Sequence, residues 1–123
     1  MHLRQMFIVL VLSVITSFVS DLPEVLAMPV SLYLPKGMLG RIECPILANP
    51  PVTQVAWSKN EQPIDFLHTS RLKRTNQGLL VFKTVMASDE GRYTCTPCSP
   101  QGCGKPSNVV KVMVRGHVTH AIL

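Results

Sequence analysis

The chain has 123 residues, 46% of them hydrophobic and 15% charged, with ten prolines and seven glycines. That length leaves room for one domain, and the apolar share excludes a disordered chain, while the prolines and glycines favour strands and turns. Twelve Lys and Arg against seven Asp and Glu give a formal charge of +5, but the cations are scattered, so no dense basic run of the nucleic-acid-binding kind is present.

At the amino end, His2 and Arg4 precede the apolar run Phe7–Ile15, which fades through Thr16 to Val19. This is the length and flanking of a secretory leader, shorter than the roughly 20 apolar residues of a membrane span. Ala27, with Val25 two residues earlier, obeys the small-residue rule for cleavage, whereas a cut after Ser20 places bulky Phe18 in the equivalent position. The expected layout is a signal peptide over 1–20 with cleavage between 20 and 27, one domain over 22–115, and an unstructured tail over 116–123. As written, with no second long hydrophobic stretch, the product is expected to be secreted.

Short β-type runs separated by Pro, Gly and Asn follow, and no amphipathic helix of useful length is found. Val30, Leu32 and Leu34 alternate with Ser31, Tyr33 and Pro35, a strand whose prolines put it at a sheet edge. Arg41–Cys44 and Gln54–Trp57 alternate so that Ile42, Cys44, Val55 and Trp57 share one side. Pro63–Asp65 is a short candidate strand. The Asn76-Gln77-Gly78 turn leads into Leu79–Lys83, with Leu80 and Phe82 inward. Arg92–Thr96 and Val109–Val114 complete the set, and the domain is expected to end near Arg115.

Cys44, Trp57 thirteen residues later, and Asp89-Glu90-Gly91-Arg92-Tyr93-Thr94-Cys95 define an all-β, immunoglobulin-like sandwich of two antiparallel sheets. A disulfide between Cys44 and Cys95 can bridge sheets about 10 Å apart, and the Trp57 indole fills the space beside it. Tyr93, two residues before the second cysteine, is placed as a tyrosine corner. Gly91 is expected to permit the turn there, and Asp89 to pair with Arg71, with Lys73 as the second candidate.

Cys98 and Cys103 fall where the hairpin between the last two strands belongs, and a second, local disulfide is the expected pairing. Cys95, Cys98 and Cys103 resemble half a zinc site, but an oxidising compartment and the claim of Cys44 on Cys95 argue against metal. A stapled loop with Ser99, Pro100, Gln101 and Gly102 would lose less entropy on binding, which makes it a candidate contact surface. The cluster Arg71, Lys73 and Arg74 could meet an acidic partner or glycan, or simply be solvated. No nucleophile elbow, phosphate loop or HExxH accompanies the four histidines, His2, His68, His117 and His120, so neither an enzyme nor a metal or cofactor site is expected. The absence of an Asn-x-Ser/Thr sequon leaves both sheet faces free of N-linked glycan.

Leu34–Pro45, Ala48–Pro51, Val55–Lys59 and Tyr93–Pro97 resemble an internal I-set domain of the Turtle family. The Cys-Trp framework is general to immunoglobulin domains, whereas Cys-Pro, Ala-Asn-Pro-Pro and Cys-Thr-Pro are narrower. The resemblance covers about residues 22–115. It implies part of a single-pass neuronal surface protein with further immunoglobulin and fibronectin domains, acting in axon and dendrite patterning by adhesion, homophilic contact included. The expected partner is a protein on cell surfaces, with no nucleic acid and no small-molecule substrate. Cys98 and Cys103 depart from the family pattern, as does the lack of other domains. A stand-alone secreted ligand or decoy, and a structural spacer, are the alternative functions.

Overall fold

The computed structural model describes residues 22–116. The signal-like segment 1–20 and the tail beyond Gly116 therefore lie outside the described residues. Eleven strands occupy Glu24–Val25 (β1), Ser31–Pro35 (β2), Gly40–Glu43 (β3), Ile46–Leu47 (β4), Gln54–Lys59 (β5), Gln62–Pro63 (β6), Leu72–Arg74 (β7), Leu79–Phe82 (β8), Gly91–Ser99 (β9), Gly102–Cys103 (β10) and Val110–Arg115 (β11). One turn of 3₁₀ helix, Ala87–Asp89, precedes β9. The larger sheet runs β2-β11-β9-β5-β6 with β10 on β9, the smaller β3-β8-β7, and β1 pairs with β4.

The two layers follow from strict alternation. In β9, Tyr93, Cys95, Pro97 and Ser99 are buried and the residues between them are not; β5 buries Val55 and Trp57, β3 buries Ile42, and β8 buries Leu80 and Phe82. A period of two gives each strand one inward face, and the two inward faces meet around Trp57, Phe82, Tyr93, Val110 and Val112. Phe82 and Tyr93 meet edge to face across this core, with ring centroids 6.1 Å apart.

The first long strand changes sheets. β1 lies antiparallel to β4, opposing Glu24 to Leu47 and Val25 to Ile46, whereas β2 runs parallel to β11, opposing Ser31 to Lys111 and Pro35 to Arg115. The edge position expected from its prolines is observed. Val30, however, is outside the strand and 79% exposed: only its carbonyl serves the ladder, accepting from the Lys111 N–H at 2.9 Å. The short strand expected at Pro63–Asp65 is Gln62–Pro63 instead: the turn through Asn60 and Glu61 sets these two residues directly opposite Lys59 and Ser58. Both of those turn residues have positive φ.

The larger revision concerns β9, which continues past Thr96 through Pro97 and Cys98 to Ser99, residues read from sequence as the start of the hairpin loop. Cys95 donates its N–H to Ser107 Oγ and its carbonyl accepts from Ser107, and the Pro97 carbonyl accepts from Gly104. Residues 95 and 97 thus direct their main-chain groups away from β5. The N–H that Pro97 lacks is not one that β5 needs, so a proline sits in the strand at no cost to that ladder.

Candidate recognition surface

The framework of the surface is the disulfide core. Cys44 and Cys95 are joined with Cα atoms 6.3 Å apart, and Trp57 stands directly opposite Cys95 in the β5–β9 register. Trp57 is 1% exposed, and its indole N–H has no acceptor, so its contribution is volume rather than hydrogen bonding. Closing 51 residues is worth about 4 kcal/mol in the chain-entropy model.

At the base of β9 the Tyr93 hydroxyl donates to the Asp89 carbonyl at 2.6 Å, and burial, then the Asp89 charge, pushes that hydroxyl well above the usual phenol range. Arg71 grips Asp89 with two bonds of 2.8 Å and donates to the Thr84 carbonyl at the same distance. Asp89 also accepts the Met86 N–H at 2.7 Å. Asp89 therefore ties the residue preceding β7 and the 3₁₀ turn together through its carboxylate, and β9 through its carbonyl, and the carboxylate's hydrogen bond raises the Arg71 pKa. Lys73 lies elsewhere, on the outside of β7 opposite Val81. Gly91 does not turn the chain, since its φ is not in the left-handed region; a Cβ there would stand 2.9 Å from Lys59 Cε and 3.0 Å from Asn60 Oδ1. The requirement is for space beside β5, not for conformational freedom.

Cys98 and Cys103 form the second disulfide, directly opposed across the β9–β10 hairpin with Cα atoms 4.0 Å apart. The hairpin is tighter than a loop of free residues. Ser99 opposes Gly102, Pro100 and Gln101 form the turn, and Ser99 Oγ donates to the Gly102 carbonyl and accepts from the Gln101 N–H. Gly102 has φ +133°, a conformation that favours glycine. Ser99 is 8% exposed and Gly102 half-buried, so of the four loop candidates only Pro100 and Gln101 are exposed. Among the described residues no group of three or more His, Cys, Asp or Glu is placed to hold a metal ion, and no helix is long and apolar enough to cross a membrane.

Behind this tip lies the outward face of the larger sheet, which sequence patterning did not single out. The register sets Ser58 opposite Thr94 and Ala56 opposite Thr96, all four half-buried. Small uncharged side chains here leave the pleated surface flat. Around it stand Val109, Met113 and Tyr33, the last 51% exposed and covered by the Arg115 guanidinium 3.6 Å from its ring centroid. Arg92 and Lys111, mutually opposed, bound one side. The signal for this patch was available as residue size on the outward positions of the two central strands.

A two-layer sandwich with an inter-sheet disulfide, a tryptophan beside it and a tyrosine corner defines an immunoglobulin domain. The chain belongs to the immunoglobulin domain family, whose model matches residues 23–114. Immunoglobulin domains of this kind are not enzymes, and the fold offers contact surfaces rather than a reaction centre. Among curated proteins it is 34% identical over 92 residues to human Protein turtle homolog A, covering 75% of this chain and 8% of that protein. It is 32% identical over 91 residues to Drosophila melanogaster Protein borderless, covering 74% of this chain and 13% of that one. The chain thus corresponds to a small part of each relative. Among solved structures, Sidekick-1 immunoglobulin domains 1–4 superpose with a TM-score of 0.68 at 22% identity, over 80% of this chain and 26% of that one. The insect immune protein hemolin superposes with a TM-score of 0.65 at 25% identity, over 76% of this chain and 24% of that one.

Proposed function

We propose that the domain serves cell-surface recognition in a Turtle-like neuronal protein, binding another protein, a second copy included, through the outward face of β5, β9 and β11. The observation that carries this reading is the flat, uncharged patch Ala56, Ser58, Thr94 and Thr96, over which a second sheet can approach closely. Tyr33 and Arg115 at its border are residue types that anchor interfaces, and the stapled tip with Pro100 and Gln101 loses little entropy when held by a partner. The similarity to Turtle and Borderless proteins supports the cell-surface setting.

Secretion through a leader in residues 1–20 belongs to the same reading, with cleavage before Leu22 rather than after Ala27. Pro23 is fully buried and Glu24–Val25 is paired with β4, so the later cut would remove built structure.

Beads coated with the secreted chain test the contact, because multivalency makes weak contacts visible. Wild-type beads are expected to cluster with one another or with cells, Ala56→Lys and Thr96→Lys beads are not, and Val81→Lys on the opposite face is expected to leave clustering intact. Clustering that survives both substitutions on the patch would reassign the contact, and no clustering in any case would favour a spacer.

A further inference from the structure

The outward face of the smaller sheet carries its own group of cations. On the smaller sheet the register sets Arg41 opposite Val81 and Val81 opposite Lys73. Because Ile42, Leu80 and Phe82 are buried, alternation sends these three residues outward. Lys83 follows Val81 by two residues and donates its N–H to the Arg71 carbonyl at 2.9 Å, so it occupies the same face one row along. With strands about 4.8 Å apart, Arg41 and Lys73 are separated by about 10 Å at their main chains. Lys83 is the diagonal neighbour of both, about 7–8 Å away.

Arg41, Lys73 and Lys83 are all exposed, and none makes an ion pair among the described residues. The one acid on this face in the register is Glu43, two residues along β3 from Arg41 and opposite Leu79, and it is in no ion pair with the three cations. Arg71 beside them is spent on Asp89, and Arg74 is turned the other way, its guanidinium 4.7 Å from the Phe66 ring and bonded to the Val55 carbonyl. What remains is a triangle of three cations, none of them in an ion pair among the described residues, around one valine and bordered at one corner by Glu43.

That triangle repels a second copy of itself, and it holds no aromatic or deep apolar anchor of the kind that secures a folded partner. Its complement is a linear chain carrying anions at short repeats. Sulfate groups suit two ammonium points and one guanidinium fork, and the two disulfides belong to the oxidising extracellular compartment, which also holds sulfated polysaccharides. We propose that the outward face of β3, β8 and β7, centred on Arg41, Lys73 and Lys83, is a binding site for sulfated polysaccharide, independent of the protein contact on the opposite face.

The test uses heparin as the probe, the secreted chain, and two charge-matched triple variants. One is Arg41→Gln, Lys73→Gln, Lys83→Gln; the other is Arg92→Gln, Lys105→Gln, Lys111→Gln, three exposed cations elsewhere. Thermal melts check that both are folded. The face variant is expected to lose at least about tenfold in affinity and to flatten the plot of log Kd against log salt by about two units, the counterions of three contacts, while the control loses less than about threefold. Equal losses in the two variants would show that net charge alone is responsible and overturn the site. So would the absence of heparin binding by the wild type, or tighter binding to poly-glutamate than to heparin.

Discussion

Replacing Tyr93 by Phe removes one oxygen atom from a buried site and nothing from the ring's packing. The Tyr93 hydroxyl is the donor to the Asp89 carbonyl at 2.6 Å, in a residue 2% exposed. Losing the bond and stranding the acceptor should cost about 1–3 kcal/mol. In a domain of this size that lowers Tm by about 4–8 °C for each kcal/mol. The pH dependence separates this bond from a general packing defect. Burial raises the folded-state pKa of Tyr93 above its unfolded value, so the stabilisation is fully present below about pH 10 and is lost as pH rises toward the folded pKa. The loss has a limiting slope of about 1.4 kcal/mol per pH unit. Urea unfolding followed by the fluorescence of Trp57, the single tryptophan, gives both curves. The gap between wild type and Tyr93→Phe should narrow above about pH 10, because only the wild type carries the shifted group. A gap that stays constant across that range, or a cost below about 0.5 kcal/mol at neutral pH, would refute the assignment.

Cys44→Ala should abolish secretion, since about 4 kcal/mol is comparable to the whole stability of a marginal domain; recovery of soluble, cooperatively melting protein from the medium would contradict this. The double change Cys98→Ser, Cys103→Ser opens a span of only five residues, worth about 2 kcal/mol, and should still be secreted, as immunoblotting of the medium would show. Gly104→Ala places a Cβ 1.9 Å from the Pro23 carbonyl oxygen, so it should lift β1 from β4. Faster hydrogen exchange at Leu26, whose N–H bonds the Pro45 carbonyl at 2.8 Å, is the expected sign, with Gly116→Ala as the silent control.

The fold was legible where packing leaves little choice. Two cysteines, a tryptophan and a tyrosine at these separations have one economical arrangement, and the alternation in β3, β5 and β8 assigns their faces directly. Legibility failed where local chemistry and tertiary context disagree. Pro97-Cys98-Ser99 looks like a loop because proline is read as a breaker, yet the N–H it lacks points away from β5. Gly91 looks like a turn residue because glycine usually marks one, but the constraint on it comes from Lys59 and Asn60, distant in sequence. The candidate surfaces were the least visible. Ala56, Ser58, Thr94 and Thr96 carry no chemistry individually, and Arg41 lies some thirty to forty residues before Lys73 and Lys83 until the strands set them side by side.

The parallel pairing of β2 with β11 sets the first long strand beside the last, running in the same direction. A pull applied between the two ends of the domain drags β2 toward its start and β11 toward its finish, so the five opposed pairs from Ser31–Lys111 to Pro35–Arg115 slide against one another and carry the load together. They cannot be peeled open singly, as a hairpin pulled from its open end can. A module built this way resists tension along its length with the ladder acting as one clamp, the property that the proposed contact between cells requires.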